Sequence, residues 1–291
     1  MIQRTIADIP GAALPGRKRF RLPGTMFLRV LVERRNLIGQ LVRRDFEARF
    51  VGSVAGWMWT LIQPLVLLLS WVFVFMFCMR VPPPPEAAHK SYVVFLFCGY
   101  LPWMLLAETL QRSANCIVEN STLITKTVFP SEVLPVTLFL SSLISNAMAT
   151  TLAVAGVLLT EHRLPITVVM LPIFILIVAL LATGVSWIAS GLQVYLRDTS
   201  QFVSVLLTAW FWTTPIFMYE SMMRSRLPGW AWTAVRMNPM TAMVGGYRRA
   251  LLLGQWPDWN DLALSAAISA LVFVLGGLFF RRLKRGFADV L

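Results

Sequence analysis

The sequence predicts an all-α polytopic membrane protein, and three observations carry that expectation. Only 14% of the 291 residues are charged, against roughly 25% in an ordinary soluble domain. Mean hydropathy is +0.68. Apolar runs recur at about the ~20 residues that a helix needs to cross a bilayer. In chain order they give six spans, at residues 56–79, 91–110, 133–160, 164–196, 199–219 and 262–280. The fourth run exceeds what the bilayer demands, so it must tilt, kink near Pro172 or Gly184, or project beyond it.

Residues 1–25 are polar and broken by Pro10, Pro15 and Pro23. They lack the apolar core of a secretory signal and read as a flexible cytosolic tail. Residues 26–55 predict an amphipathic interface helix. Ile38, Val42, Phe46 and Phe50 recur every four residues, while Arg43, Arg44, Glu47 and Arg49 take other faces. The glycines of GSVAGWMW permit a turn into the first span, which opens the six-span domain, residues 56–291. Between the first two spans, PPPPE (82–86) reads as a stiff extended spacer.

The net charge of +12 points to topology rather than to nucleic acid. Arginines and lysines crowd residues 4–49 and then 281–285 (Arg281, Arg282, Lys284, Arg285), so both termini are expected in the cytosol. One connection resists this rule. Residues 220–261 would lie outside, yet they hold Arg224, Arg226, Arg236, Arg248 and Arg249. A seventh span through 240–255 would bury paired arginines at several kcal/mol. The better expectation is a short helix with Asn238 as N-cap, Pro239 at its first position and Gly254 at its end. Such a helix lies in the outer interface or re-enters from it, with Trp230, Trp232, Trp256 and Trp259 as anchors.

The three cysteines (Cys78, Cys98, Cys116) have no C-x-x-C spacing, and His89 and His162 have no ligand-type neighbours. No disulfide framework, metal site or catalytic centre is expected. None of the four lysines (Lys18, Lys90, Lys126, Lys284) follows a glycine, so the chain holds no phosphate-cradling G-x-x-x-x-G-K-[ST] loop. If ATP drives this protein, ATP and Mg bind a separate subunit. That subunit needs a handle, and the best candidate is the segment 119–135, with apolar Leu123, Ile124, Val128 and Phe129. The plainer reading is an ordinary connecting loop. Glu108 is the ionisable residue placed within a span; near the cytosolic end of the second span, it can reach the interface.

Several stretches taken together resemble a known family. RDFEARFVGSVAGWMWTLIQP (44–64) is similar to the start of the polysaccharide-exporting permeases of ATP-binding-cassette type-2 transporters, with Phe50 where that family often has Tyr. LITKTVFPSEVLPV (123–136), LRDTSQFVSVLLTAWFWTTPIFMY (196–219), NPMTAMVGGYRRALLLG (238–254) and the tail FFRRLKRGFADVL follow in the family's order. The resemblance covers roughly residues 28–291 and is closest to O-antigen exporter permeases, with capsule and teichoic-acid permeases next.

The resemblance implies a transport subunit rather than an enzyme. It would sit in the bacterial inner membrane and move a lipid-linked glycan of O-antigen type. Two copies would form the channel, and two ATPase subunits would sit below them. Arg43, Arg44, Asp45 and Arg49, with Leu123, Ile124 and Phe129 of a coupling helix, would take up the ATPase stroke. Trp57, Trp59, Trp103, Trp210, Phe211 and Trp212 divide between interface anchors and channel lining, because sugar C–H faces pack on aromatic rings. Arg248 and Arg249 would meet either the phosphate of a lipid-linked glycan or phospholipid headgroups. A small-molecule exporter of the same superfamily would share the span count. A membrane glycan or lipid transferase would need an H-x-x-x-x-D or D-x-D motif, and the sequence has neither.

Overall fold

The computed structural model describes residues 34–80, 91–126 and 129–290. The expected tail (1–25), the start of the interface helix, the proline spacer, His89 and Val128 lie outside the described residues. Within them every regular element is helical.

Helix α1 (Arg35–Ala48) is the amphipathic helix. Gly52 and Gly56, at φ 78° and 51°, turn the chain out of it. A side chain at either would meet open space, so the glycines serve the left-handed backbone itself. Helix α2 (Trp59–Val72) follows and ends in a π-helical turn, Phe73–Cys78. Helix α3 (Tyr92–Ala114) runs to the short helices α4 (Cys116–Glu119) and α5 (Ser121–Lys126). Helix α6 (Val133–Glu161) returns. A 3-10 turn, Ile166–Met170, leads into α7 (Leu171–Tyr195). Pro172 stands in the first turn of α7, where its missing N–H costs nothing. The long fourth run therefore changes helix type just before Pro172. Gly184 serves packing instead.

Among the described residues, five helical segments are long and apolar enough to cross a membrane: Gly56–Cys78, Tyr92–Ala114, Val133–Glu161, Ile166–Tyr195 and Trp259–Gly286. The fifth expected span differs. Helix α8 (Thr199–Thr213) has 15 residues, short of the ~20 required, and residues 214–218 leave the helix altogether. Helices α9 (Glu220–Arg226), α10 (Gly229–Met237) and α11 (Pro239–Arg248) follow. A π-helical turn, Arg249–Leu253, stops at Gly254 in the left-handed region. As the sequence predicts, the Asn238 side chain caps α11 by accepting from Met240 N–H, and Pro239 opens it. Helix α12 (Trp259–Leu283) closes the bundle, and α13 (Phe287–Val290) ends it.

Helix α3 is the axis: 78% of the most apolar stretch of Tyr92–Ala114 is buried, against 17% for that of Gly56–Cys78. It packs on α6, α7, α8 and α11, and buried Asn146 of α6 donates to Leu101 O at 2.8 Å. Such a bond and close backbone contact hold helices together where the apolar surroundings give no hydrophobic drive. Helices α7 and α12 supply the closest crossing. At Gly184 an added Cβ would stand 2.7 Å from backbone atoms of Val272 and Phe273, and Gly276 faces Gly184 across the same crossing.

The bundle has two distinct ends. At one, Lys284 pairs with Glu132 at 2.6 Å, and Tyr195 donates to Leu283 O at 2.8 Å. Helix α1, the C-terminus of α3 and helices α4–α5 gather there. At the other, the Tyr92 hydroxyl donates to Phe217 O at 3.2 Å, and Thr167 donates to Ala250 O at 2.8 Å.

Candidate functional site

Asp45, in the last turn of α1, and Arg49, which caps its C-terminus, stand four residues apart and face the bundle. Opposite them on α3, one turn apart, are Glu108 and Arg112. Arg112 donates to both oxygens of Asp45 at 2.7 and 2.8 Å, and Arg49 donates to Glu108 at 2.5 Å. Helix α6 completes the cluster. Arg49 donates to the hydroxyls of Ser141 (2.8 Å) and Ser145 (3.0 Å), and Ser141 donates onward to Asp45. Two acids and two guanidiniums thus cancel in charge while joining three helices.

Burial pushes the Asp45 carboxyl upward. The hydrogen bonds from Arg112 and Ser141 and the nearby arginine charges outweigh it, and the pKa falls below its ordinary value. Arg49 is held below its ordinary value by burial and by Arg112, with Glu108 and Asp45 opposing. Asp45 is therefore ionised at neutral pH, and Arg49 keeps the charge that arginine holds in proteins.

The four expected coupling residues of α1 accordingly divide. Asp45 and Arg49 form this latch, whereas Arg43 and Arg44 are exposed, Arg43 resting on Glu47 at 2.8 Å. At the same end, Leu123 and Ile124 lie on α5, half-buried. Ile124 and Phe129 pack against a core of Cys116, Ile117, Trp187, Phe280 and Phe287. Glu119, Thr125 and Lys126 are exposed beside them. This segment therefore shows an outer polar surface on an inner apolar seat.

A groove of about 510 Å³ begins at the latch and runs along α2, α3 and α8. Arg49, Glu108, Gln111, Gln63 and Ser145 line its polar part; Trp59, Trp71, Tyr100, Trp103 and Phe211 line its aromatic part. Trp71 sits 4.8 Å from Tyr100 and 5.4 Å from Phe211, and Trp103 sits 5.5 Å from Phe211, centroid to centroid. Three of the six aromatic residues singled out from sequence, Trp59, Trp103 and Phe211, thus share one surface. The other three stand elsewhere. Trp210 packs behind Trp103 and donates to Asn238 Oδ1 at 2.9 Å. Trp212 stacks on Phe217, and Trp57 is exposed outside the groove.

At the opposite end Arg248 and Arg249 also part ways. Arg248 is 4% exposed. It donates to Pro215 O at 2.8 Å, to Phe95 O and Met218 O at 3.3 Å, and to Ile216 O. Its guanidinium carbon lies 3.6 Å from the centroid of the Phe95 ring. The guanidinium fills the space where a Cβ at position 99 would stand, so only glycine fits there. Its donors are committed within the chain, and Arg249 is the member of the pair left to face outward. Arg249 lines a second pocket of about 340 Å³ with Tyr219, Glu220, Ser221, Arg224 and Trp232. Its guanidinium is 3.9 Å from Glu220. Burial raises the Glu220 pKa above its ordinary value, with Asp261 and Asp258 adding to the rise and Arg249 and Arg248 opposing it.

Sequence reasoning missed Arg112, Ser141 and Ser145, and left Glu108 without a partner. A signal was there to read: DFEAR and ETLQR place an acid and an arginine at the same spacing of four.

Comparison with known proteins adds an independent finding. A family model described as ABC-2 type transporter matches residues 36–252. The O-antigen export system permease protein RfbA of Myxococcus xanthus is 28% identical over 267 residues, covering 90% of this chain and 98% of that protein. Two proteins of the same description from Klebsiella pneumoniae are 25% and 26% identical over 257 and 261 residues, each covering 88% of this chain and 95% of its own length.

Proposed function

The chain belongs to the ABC-2 type transporter family, and from that premise we propose that it is the membrane subunit of an ATP-driven exporter. Its cargo is a lipid-linked polysaccharide of O-antigen type, moved across the bacterial inner membrane. The reading draws on the description of its relatives as O-antigen export permeases. The observation that carries it is the groove that starts at a charged latch and continues over aromatic rings. A sliding polymer needs many weak contacts, and the flat C–H faces of sugars find them on Trp59, Trp71, Trp103 and Phe211.

In this reading two copies bring their grooves together into a channel, and two ATPase subunits dock at the latch end. Arg43, Arg44 and the outer surface of α4–α5 receive the ATPase. The Asp45–Arg112 and Arg49–Glu108 pairs carry its stroke into α3 and α6. Both termini lie in the cytosol, and α1 rests on the inner leaflet, where its exposed arginines meet anionic lipid.

The reading has six crossings. Helix α8 rises ~22 Å over its 15 residues, short of the ~30 Å hydrocarbon layer. Residues 214–219 complete the depth without helical hydrogen bonds, which a membrane tolerates only where the freed groups find partners. Arg248 supplies them to the carbonyls of Pro215, Ile216 and Met218. Helices α9–α11 then lie at or re-enter from the outer interface.

Deleting the gene tests the reading. Completed lipid-linked glycan should accumulate inside the cell, while a normal level of surface glycan in the deletion strain overturns it.

A further inference from the structure

The pocket beside Arg249 has a charge and shape that the groove does not explain. We propose that it receives a phosphate ester carried on a sugar or polyol, at the membrane face where cargo emerges; the location rests on the export reading above. The pocket, about 340 Å³, falls in the size range of small-ligand sites.

Its charges do not balance. Arg236 is matched by Asp261 at 2.9 Å, and Arg248 is spent on backbone carbonyls. Arg224 is exposed and engages no hydrogen bond or ion pair among the described residues. Arg249 is half-buried, and its ion-pair partner among the described residues is Glu220, at 3.9 Å, beyond hydrogen-bond reach. Arg224, Arg248 and Arg249 thus line the pocket with one carboxylate, Glu220, while Asp258 and Asp261 line the neighbouring pocket on the other side of Arg249, so this lining keeps an excess of positive charge. Guanidinium forks fit phosphate oxygens two at a time, so the missing partner is an anion of that geometry.

The remaining walls suit a polyol attached to it. Trp232 offers a flat face, and Ser221 and Glu220 offer groups for hydroxyls. Glu220 is seated against α11 in the space that a side chain at Gly245 would occupy, which holds its carboxylate towards Arg249. The pocket lies by the start of α12, at the end of the bundle opposite the Lys284–Glu132 pair.

Two sources carry this chemistry: the sugar-phosphate junction of a lipid-linked glycan and the headgroup of phosphatidylglycerol. Full-length protein in phosphatidylcholine nanodiscs, without ATPase or ATP, is titrated with hexose 1-phosphate, inorganic phosphate and free hexose, and binding is read by calorimetry. Hexose 1-phosphate should bind saturably and free hexose should not. Arg224→Gln and Arg249→Gln should each weaken binding about tenfold or more. Trp232→Ala should weaken binding of hexose 1-phosphate and leave inorganic phosphate unchanged. Thermal midpoints matching the parent protein show that the variants are folded. Nanodiscs containing phosphatidylglycerol distinguish the sources: loss of hexose 1-phosphate binding identifies the headgroup, and retention identifies the glycan junction. Full binding by both arginine variants overturns the proposal, as does inorganic phosphate binding as tightly as the ester. Neither result bears on export, which the surface glycan of the deletion strain decides separately.

Discussion

Asp45 and Arg112 lie 67 residues apart in sequence and meet through paired hydrogen bonds of 2.7 and 2.8 Å. Their side chains are 23% and 26% exposed, enough burial that an orphaned partner is costly. Asp45→Asn or Arg112→Gln should destabilise the protein by about 1–3 kcal/mol. The double variant should recover part of this, since neither charge is then left alone. Thermal unfolding in detergent measures the effect; single variants with the parent midpoint would contradict the latch.

The latch should also hold across the physiological pH range. The folded-state pKa of Asp45 lies below its ordinary value. Its contribution is therefore complete above the unfolded value of ~3.9 and is lost as pH falls through the folded one. The protection of α1 amides, relative to their intrinsic exchange at each pH, should stay high from pH 8 down to about 5, falling only in stronger acid. Loss of that protection at pH 6 would mean that the carboxylate does not hold the helix.

Trp57 and Trp59 are a matched pair for testing the groove, at 54% and 53% exposed. Only Trp59 lines it. Trp59→Ala should lower surface glycan severalfold and Trp57→Ala should leave it near the parent level, with both proteins equally abundant in membranes. Equal effects would place the polymer elsewhere.

Gly184→Leu should fail more severely than its hydropathy suggests. Even a Cβ there would meet the backbone of α12 at 2.7 Å, so the helices must separate. Overpacking of this kind costs about 1–3 kcal/mol or more, and the unfolding midpoint should fall accordingly. Leucine at Gly39, where an added Cβ meets nothing within 4 Å, provides the tolerant control.

Arg248→Lys should not rescue Arg248→Gln. Four carbonyls converge on a planar fork, and a single ammonium cannot serve them all. Both variants should lose stability, and protease should cut sooner within residues 214–219.

Most of the fold was legible because hydropathy and punctuation act locally. The cap at Asn238, the stop at Gly254 and the turn at Gly52–Gly56 follow from single residues and their neighbours. The shortness of α8 did not follow, because residues 214–218 are apolar enough to pass for helix. Pro215 is the local breaker, since it disfavours helical backbone at Thr214, which is extended with ψ 136°. What no local window contains is Arg248, 33 residues beyond Pro215, which donates to the freed carbonyls. Arg248 and Arg249 look equivalent as neighbours, yet the turn of the helix sends one inward and the other to a pocket. The latch was half legible. Its charges on α1 stood out, but Ser141 and Ser145 look like any small residues in a span until α1 lies across them.

The unequal burial of α2 and α3 divides the protein mechanically. Sliding α3 would tear contacts from four neighbouring helices, whereas α2 can swing with little loss inside its own subunit. Within one subunit the buried middle of the bundle is thus the stiff part, and the wall that follows the Gly52–Gly56 turn is the loosely held one. On the export reading proposed above, a cargo of varying width would suit that division, because a channel between two copies could widen by displacing one wall while the buried frame kept its shape.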